Sequence, residues 1–307
     1  MAVALDTVTE TSWVGRAGGD PYTANLPAGL AVGDLIIIGV FAVEVDSSTI
    51  NSIYPTSSSW SGEGWTYLGG TTSGTSVSAL YAKVADSDDV SAGTISLTPS
   101  TSASGDVWMK TVAVSVTGYG GISSIQLASG SVASTANLSF ATGTTQTFTD
   151  SLLLFWVFAV DTGITSTTTS GYAITGDNPT WTERVDSYGD SNPYAGPDND
   201  ALLALATASR SAASALGTAS ATLSQAWDAI IGRILIIPPV TNATVNAGVV
   251  SMTSSPQSVS VTGGANASPS VISVTSSVQA PAVSAGDSKW NNVDKSSASP
   301  ITNTPKS

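Results

Sequence analysis

The sequence contains no cysteine and no histidine. The first absence excludes disulfides, thiol nucleophiles and cysteine-ligated zinc. The second excludes Ser-His-Asp triads and imidazole metal ligands. Charge is scarce too: Asp, Glu, Lys and Arg make up 10% of 307 residues, well under the usual quarter. Bases are the rarer sign. Of nine, only Arg16, Lys83, Lys110, Arg184, Arg210 and Arg233 precede residue 240, against twenty acids, which leaves that region at −14 within a chain total of −13. An acidic surface without a basic stripe repels phosphate backbones, so no nucleic-acid partner is expected. Glutamate occurs only at Glu10, Glu44, Glu63 and Glu183. Glu63 and Glu183 flank Gly64-Trp65-Thr66 and Trp181-Thr182, but nothing in the pattern brings them to one cleft. Paired-carboxylate hydrolysis therefore finds no support, and no catalytic residue is expected. The apolar runs are shorter than the roughly 20 residues a membrane helix needs, so no membrane span is expected. MAVALDTVTE has neither the basic nor the apolar region of a secretory signal.

What is present is a β pattern, with 41% apolar residues on a Ser, Thr, Ala and Gly background. Gly33–Val43, GDLIIIGVFAV, returns as Asp150–Val160, DSLLLFWVFAV. Each reads as a central strand buried on both faces. Shorter echoes keep the same order: Thr23-Ala24-Asn25-Leu26 with Thr135-Ala136-Asn137-Leu138, Trp65-Thr66 with Trp181-Thr182, Ala79–Ala82 with Ala201–Ala204, Gly93–Ser96 with Gly217–Ser220, and Trp108 with Trp227. Residues 1–121 and 122–239 are thus expected to be related units of an all-β protein. Alternation with period two and closely spaced turns indicate tandem or fused antiparallel β-sandwiches, jelly-roll or immunoglobulin-like. Two separate sandwiches and two halves of one larger jelly roll both remain open. The stretch 47–61 reads as a long loop and Asp86–Asp89 as a turn. Ala201–Ala226 carries helix-tolerant composition, but the repeat places strands at 201–206 and 217–223.

Pro238-Pro239 marks a boundary, and residues 240–307 read as an extended, β-rich attachment segment. Val249–Ser255 returns as Val271–Ser277, an alternation of Val with Ser or Thr that cannot bury a core alone. It needs the body, another copy or a partner's sheet edge, or else it is a linker. Trp290–Ser296 matches Ile301–Ser307. Trp290, Lys295, Ile301 and Lys306 are the candidate partner-docking residues, the alternative being a solvated end. Such strands pair well between copies, so a homo-oligomer is expected, a trimer among the options, with dimer and monomer as alternatives.

Two loops carry the remaining candidates. Asp186, Asp190, Asp198 and Asp200 supply oxygen ligands suited to Ca²⁺, though without EF-hand spacing; the alternative is a solvated loop. No other cofactor is expected. Tyr54 and Trp60 in the first half, with Tyr188 and Tyr194 in the second, are candidate glycan-stacking residues on loops, or lids over their own sandwich.

The order GDLIIIGVFAV, GWTYL, ALYAKVAD, GTISLT resembles a module of tailed-bacteriophage virion proteins. The terminal Trp-x-Asn and Lys-Ser repeats are similar to the ends of phage structural proteins. The second unit departs from the module, with Asp150-Ser151 for Gly33-Asp34 and Leu205 for Lys83. The resemblance implies a non-enzymatic virion protein assembled in the host cytoplasm. It would be a surface decoration or fibre-like component of the head, or a minor tail protein, held to capsid or tail proteins by its C-terminal segment. The alternative is a glycan-binding adhesin contacting the host surface.

Overall fold

A computed structural model describes residues 2–240 apart from 18–20, 45–49, 56–63, 73–75, 102–105, 145–147, 163–166, 177–178, 190–198 and 212–214; residues 241–307 fall outside it. The first half contains β1 (Ala4–Glu10), β2 (Val14–Ala17), β3 (Tyr22–Asn25), β4 (Leu35–Glu44), β5 (Ile50–Pro55), β6 (Thr66–Thr72), β7 (Ser76–Val84), the short helix α1 (Ser87–Ala92), β8 (Thr94–Thr101) and β9 (Asp106–Thr117). A 3-10 turn at Ile122–Ser124 leads into the second half. There follow β10 (Gln126–Val132), β11 (Thr135–Ala141), β12 (Ser151–Thr162), β13 (Thr169–Ile174), β14 (Thr182–Gly189), β15 (Asn199–Arg210), β16 (Thr218–Trp227) and β17 (Ala229–Ile237).

The first half forms a large sheet, β1-β9-β4-β7-β6 with β2 also on β9, and a small one, β3-β8-β5. The second forms β10-β17-β12-β15-β14 and β11-β16-β13. Strand for strand, apart from β2, the order is the same, and the ladders are antiparallel. Most successive strands switch sheets, as in jelly rolls. The all-β, antiparallel sandwich expected from the sequence is what the chain forms.

The central strands explain why their sequences are unbroken apolar runs. In β4, Ile36, Ile38, Val40 and Ala42 face the small sheet, in one core with Tyr22, Ala24 and Leu97. In β12, Leu153, Phe155, Val157 and Ala159 do the same with Leu138, Ala219 and Leu223. The alternate residues of both strands, Leu35, Ile37, Phe41 and Val43 with Leu152, Leu154, Trp156 and Phe158, meet in a third core shared by the two large sheets. The layers therefore run small, large, large, small. Each half is a sandwich with its own core, and the two are packed back to back. Burying each large apolar side chain contributes about 1.5–3 kcal/mol relative to exposure, so the shared core is a major stabilising element. It makes the two halves one compact unit.

The sandwiches are related by a near two-fold. Phe41 and Phe158 hold the same place in their strands, and their rings touch at a centroid distance of 5.5 Å. Gly39 corresponds to Trp156, and a Cβ on Gly39 would lie 2.3 Å from Trp156 Cζ3. Contacts between equivalent positions are the mark of an isologous interface. They require β4 and β12 to run the same way, so matching strand ends lie together. Where β4 and β12 begin, the chain ties itself off. Val240 N–H donates to Gly118 O at 2.8 Å, and Gly120 N–H to Pro238 O at 2.8 Å. Tyr119 O–H donates to Gly33 O at 3.1 Å, and the Ala2 carbonyl fills the space a Cβ on Gly118 would need.

Several local expectations are corrected. The stretch 47–61 includes β5, an edge strand of the small sheet. Asp86–Asp89 opens α1 rather than making a simple turn. Trp227 ends β16, and Trp108, opposite Val43, corresponds to Ala229, opposite Val160, and not to Trp227. Pairing sets the true register of the halves. Thr66 lies opposite Ala82 and Thr182 opposite Thr207, which keeps Trp65 equivalent to Trp181. Lys83, however, pairs with Ile36, and Ala208 with Leu153, so Lys83 corresponds to Ala208 and not to Leu205. Leu26 N–H donates to Gly93 O and Thr142 N–H to Gly217 O. Thr142, not Leu138, is therefore the counterpart of Leu26.

Candidate functional site

The Gly-Trp-Thr and Lys-Val-Ala-Asp stretches converge at the end where the chain ties itself off. Gly64 adopts φ +75°, a conformation glycine takes without strain, and the next residue, Trp65, turns inward to 5% exposure. Lys83, near the end of β7, lies with Nζ 5.9 Å from the centre of the Trp65 ring. Its ammonium is held by Asp86 at 3.0 Å and Asp89 at 2.8 Å. Both acids also build the start of α1. Asp86 accepts from the N–H groups of Asp88 and Asp89, and its own N–H donates to Asp89, a reciprocal capping box. Burial alone would lower the Lys83 pKa, but the bonds to Asp89 and Asp86 outweigh it and hold it above the ordinary lysine value. The Asp89 backbone N–H, with Lys83, draws the Asp86 carboxyl down to about 2. These residues, with Ile95 and Ile122, line a cavity of about 690 Å³. Its lysine is already paired with two carboxylates, and its walls mix Trp65, Ile95 and Ile122 with the polar groups of Asp88, Thr94 and Ser96.

The second-half acids are placed differently from one another. Asp186 accepts from Thr169 N–H at 2.9 Å and Thr169 O–H at 3.3 Å, and burial raises its pKa despite those bonds. Asp200, 2% exposed, accepts from Tyr188 O–H at 2.7 Å. Asp186 lies opposite Ala204, four residues along β15 from Asp200, which is about 13 Å of strand. Asp190 and Asp198 lie outside the described residues. Among the described residues no three acids gather as a metal group would require. Glu183 is exposed on β14, with its pKa raised by burial and then by Asp186; Glu63 is not described.

Of the aromatic candidates, Tyr188 packs against the second-half core and engages Asp200. Tyr54 falls in β5, opposite Thr98, with its side chain outside the described residues, as are Trp60 and Tyr194. The stretches that carry Trp60 and Tyr194 are not equivalent: 56–63 joins β5 to β6, whereas 190–198 joins β14 to β15. Trp290, Lys295, Ile301 and Lys306 also lie outside the described residues.

Two features escaped the sequence. Asp161 stands directly opposite Asp200 across β12 and β15, a like-charged pair that only the register reveals. Arg233 is 1% exposed and crosses between the sandwiches. It donates to Ser78 O at 3.2 Å, Gly69 O at 3.4 Å and Thr71 Oγ1 at 2.7 Å, with its guanidinium 5.6 Å from the Phe158 ring. Burial lowers its pKa to about 10. A lone Arg within IIGRILII was the only signal, and it does not say which oxygens await it. Compared with family models, with curated proteins and with solved structures, the chain matches none of them.

Proposed function

We propose that this chain is a non-enzymatic structural protein of a bacteriophage particle, displayed on the head or carried as a minor tail protein and attached through residues 240–307. The observation that carries the reading is the polarity of the double sandwich. The Val240 exit and the 118–121 connection share one end, and the connections after β4, β12 and β14 leave from the opposite end. Attachment through the segment that begins at Val240 fits a body whose connections after β4, β12 and β14 gather at the opposite end. The shared core supports the same reading, because it makes a stiff block of two units without a hinge between them. The matching strand order supports descent from a duplicated sandwich. The virion resemblance of the Gly-Asp, Gly-Trp-Thr and Lys-Val-Ala stretches supplies the particle context.

The test is retention on purified virions lacking the protein, comparing the full chain with one ending at Pro239. Copies bound after sedimentation are expected only for the full chain. Equal retention of the shorter chain would reverse the attachment and display ends. No retention of either would remove the particle role.

A further inference from the structure

The near two-fold creates two similar crossings between the halves, and each leaves an opening at the end where the chain ties itself off. Where β10 crosses β6, Leu127 packs on Gly69, as Val8 and Val185 do at the other crossing, and the opening beyond them is the cavity in which Asp86 and Asp89 hold Lys83. Where β1 crosses β14, a groove of about 470 Å³ stays open. That is within the usual size of small-ligand sites. The two openings match in place, since Thr180, Ala208 and Ser209 correspond to Gly64, Lys83 and Val84, but the first is lined by three aspartates and the second by none.

The walls of the groove are chemically specific. Both edge strands carry a bulge at the same place, Leu68 in β6 and Arg184 in β14. Leu68 packs on the shared core, whereas Arg184 lines the groove. Arg184 Nε donates to Thr207 Oγ1 at 2.9 Å, which fixes the guanidinium fork. Lys83 and Lys110 each hold a carboxylate, and Arg233 is sealed in the interior. No described carboxylate pairs with Arg184. Thr180, Thr182 and Ser209 also line the groove, with Leu5 and Leu152 as apolar surface. An arginine fork matches a carboxylate, and hydroxyls that both donate and accept match those of a sugar. The strongly negative body disfavours polyanions, so a single charge suits the site best.

We propose that this groove binds a saccharide carrying one carboxylate, a sugar acid, with Arg184 on the carboxylate and the Thr and Ser hydroxyls on the ring. The site does not depend on how the protein is attached to a particle. The test is titration of the full chain with sodium glucuronate, glucose and acetate at low salt, followed by ligand-observed NMR. Glucuronate is expected to saturate in the millimolar range, with glucose and acetate at least about tenfold weaker. R184Q is expected to lose about tenfold or more, and R184K less, because lysine keeps the charge but not the fork. T180W fills the groove while leaving Arg184 in place, and is expected to abolish binding. Unchanged melting curves confirm that the variants fold. Failure of glucuronate to saturate, equal binding of acetate, or undiminished binding by R184Q would each overturn the proposal.

Discussion

Gly39 and Trp156 occupy the same position in two matching strands, and together they make one contact. The indole fills the space that the missing Cβ leaves, so the near two-fold is satisfied by a large and a small residue instead of two of equal size. G39A is expected to destabilise the protein by about 1–3 kcal/mol, as overpacking does, because the obstructing atoms are a fully buried ring. W156L, in contrast, opens a cavity. The double variant G39A/W156L is expected to lose at least about 1 kcal/mol less than the two single losses summed, the mark of direct coupling. Denaturant unfolding of the four proteins measures this, and strict additivity would show that the two residues do not share the space. Asp150 illustrates the same logic in the backbone. It stands where the first half has Gly33, and both take positive φ, +57° and +96°. Aspartate is among the few residues that tolerate this region, so the turn survives the change of residue.

At the scale of the element, α1 has no buried residue and rests on its cap. Because the Asp86 pKa is depressed when folded, its contribution is present above the ordinary carboxylate range and is lost as pH falls from about 4 towards 2. The side chain is half exposed, so screening keeps the ion-pair part below about 1 kcal/mol. D86N retains a good capping residue but cannot titrate. Its melting temperature is expected to fall less steeply than that of the wild type between pH 4 and 2, and parallel curves would refute the assignment. The same elements show how far the sequence could be read. Runs buried on both faces identified β4 and β12, because no alternation can hide in them. The Trp65–Trp181 and Gly93–Gly217 echoes held their register, since an inward indole and a sharp turn tolerate few alternatives. Small-sheet strands bury one face only, and their outward residues are interchangeable. Thr23–Leu26 therefore matched a similar string four residues out of place, and β5 hid in a Ser/Thr-rich stretch. Lys83 was matched to Leu205 because Ala-Leu repeats along β15 fit at more than one offset. What covers the second face of β4 was not legible at all. The covering residues are those of β12, more than a hundred positions away, and nothing local encodes that pairing. For the candidate site, the Trp65 and Lys83 stretches were visible as motifs, but Arg184 was only one of six scattered cations until the fold set it over a groove.

For the molecule as a whole, the shared core predicts that the halves do not part when the chain between them is cut. A protease site placed between Gly120 and Gly121, once cleaved, is expected to leave two fragments that co-elute at the mass of the intact protein. They should unfold in one transition, because separating them would expose Phe41, Trp156, Phe158 and their neighbours to water. Elution as two separate species would mean that each sandwich is self-sufficient and the core between them incidental. Gly118 carries a further implication. The Ala2 carbonyl and the Val240 N–H both come to this one residue, so the path from Ala2 to Val240 is close to a closed circuit. The fold therefore assigns no priority to either sandwich. A chain joined across that seam and opened at Gly121 would meet the same neighbours in the same places, with the second sandwich synthesised first.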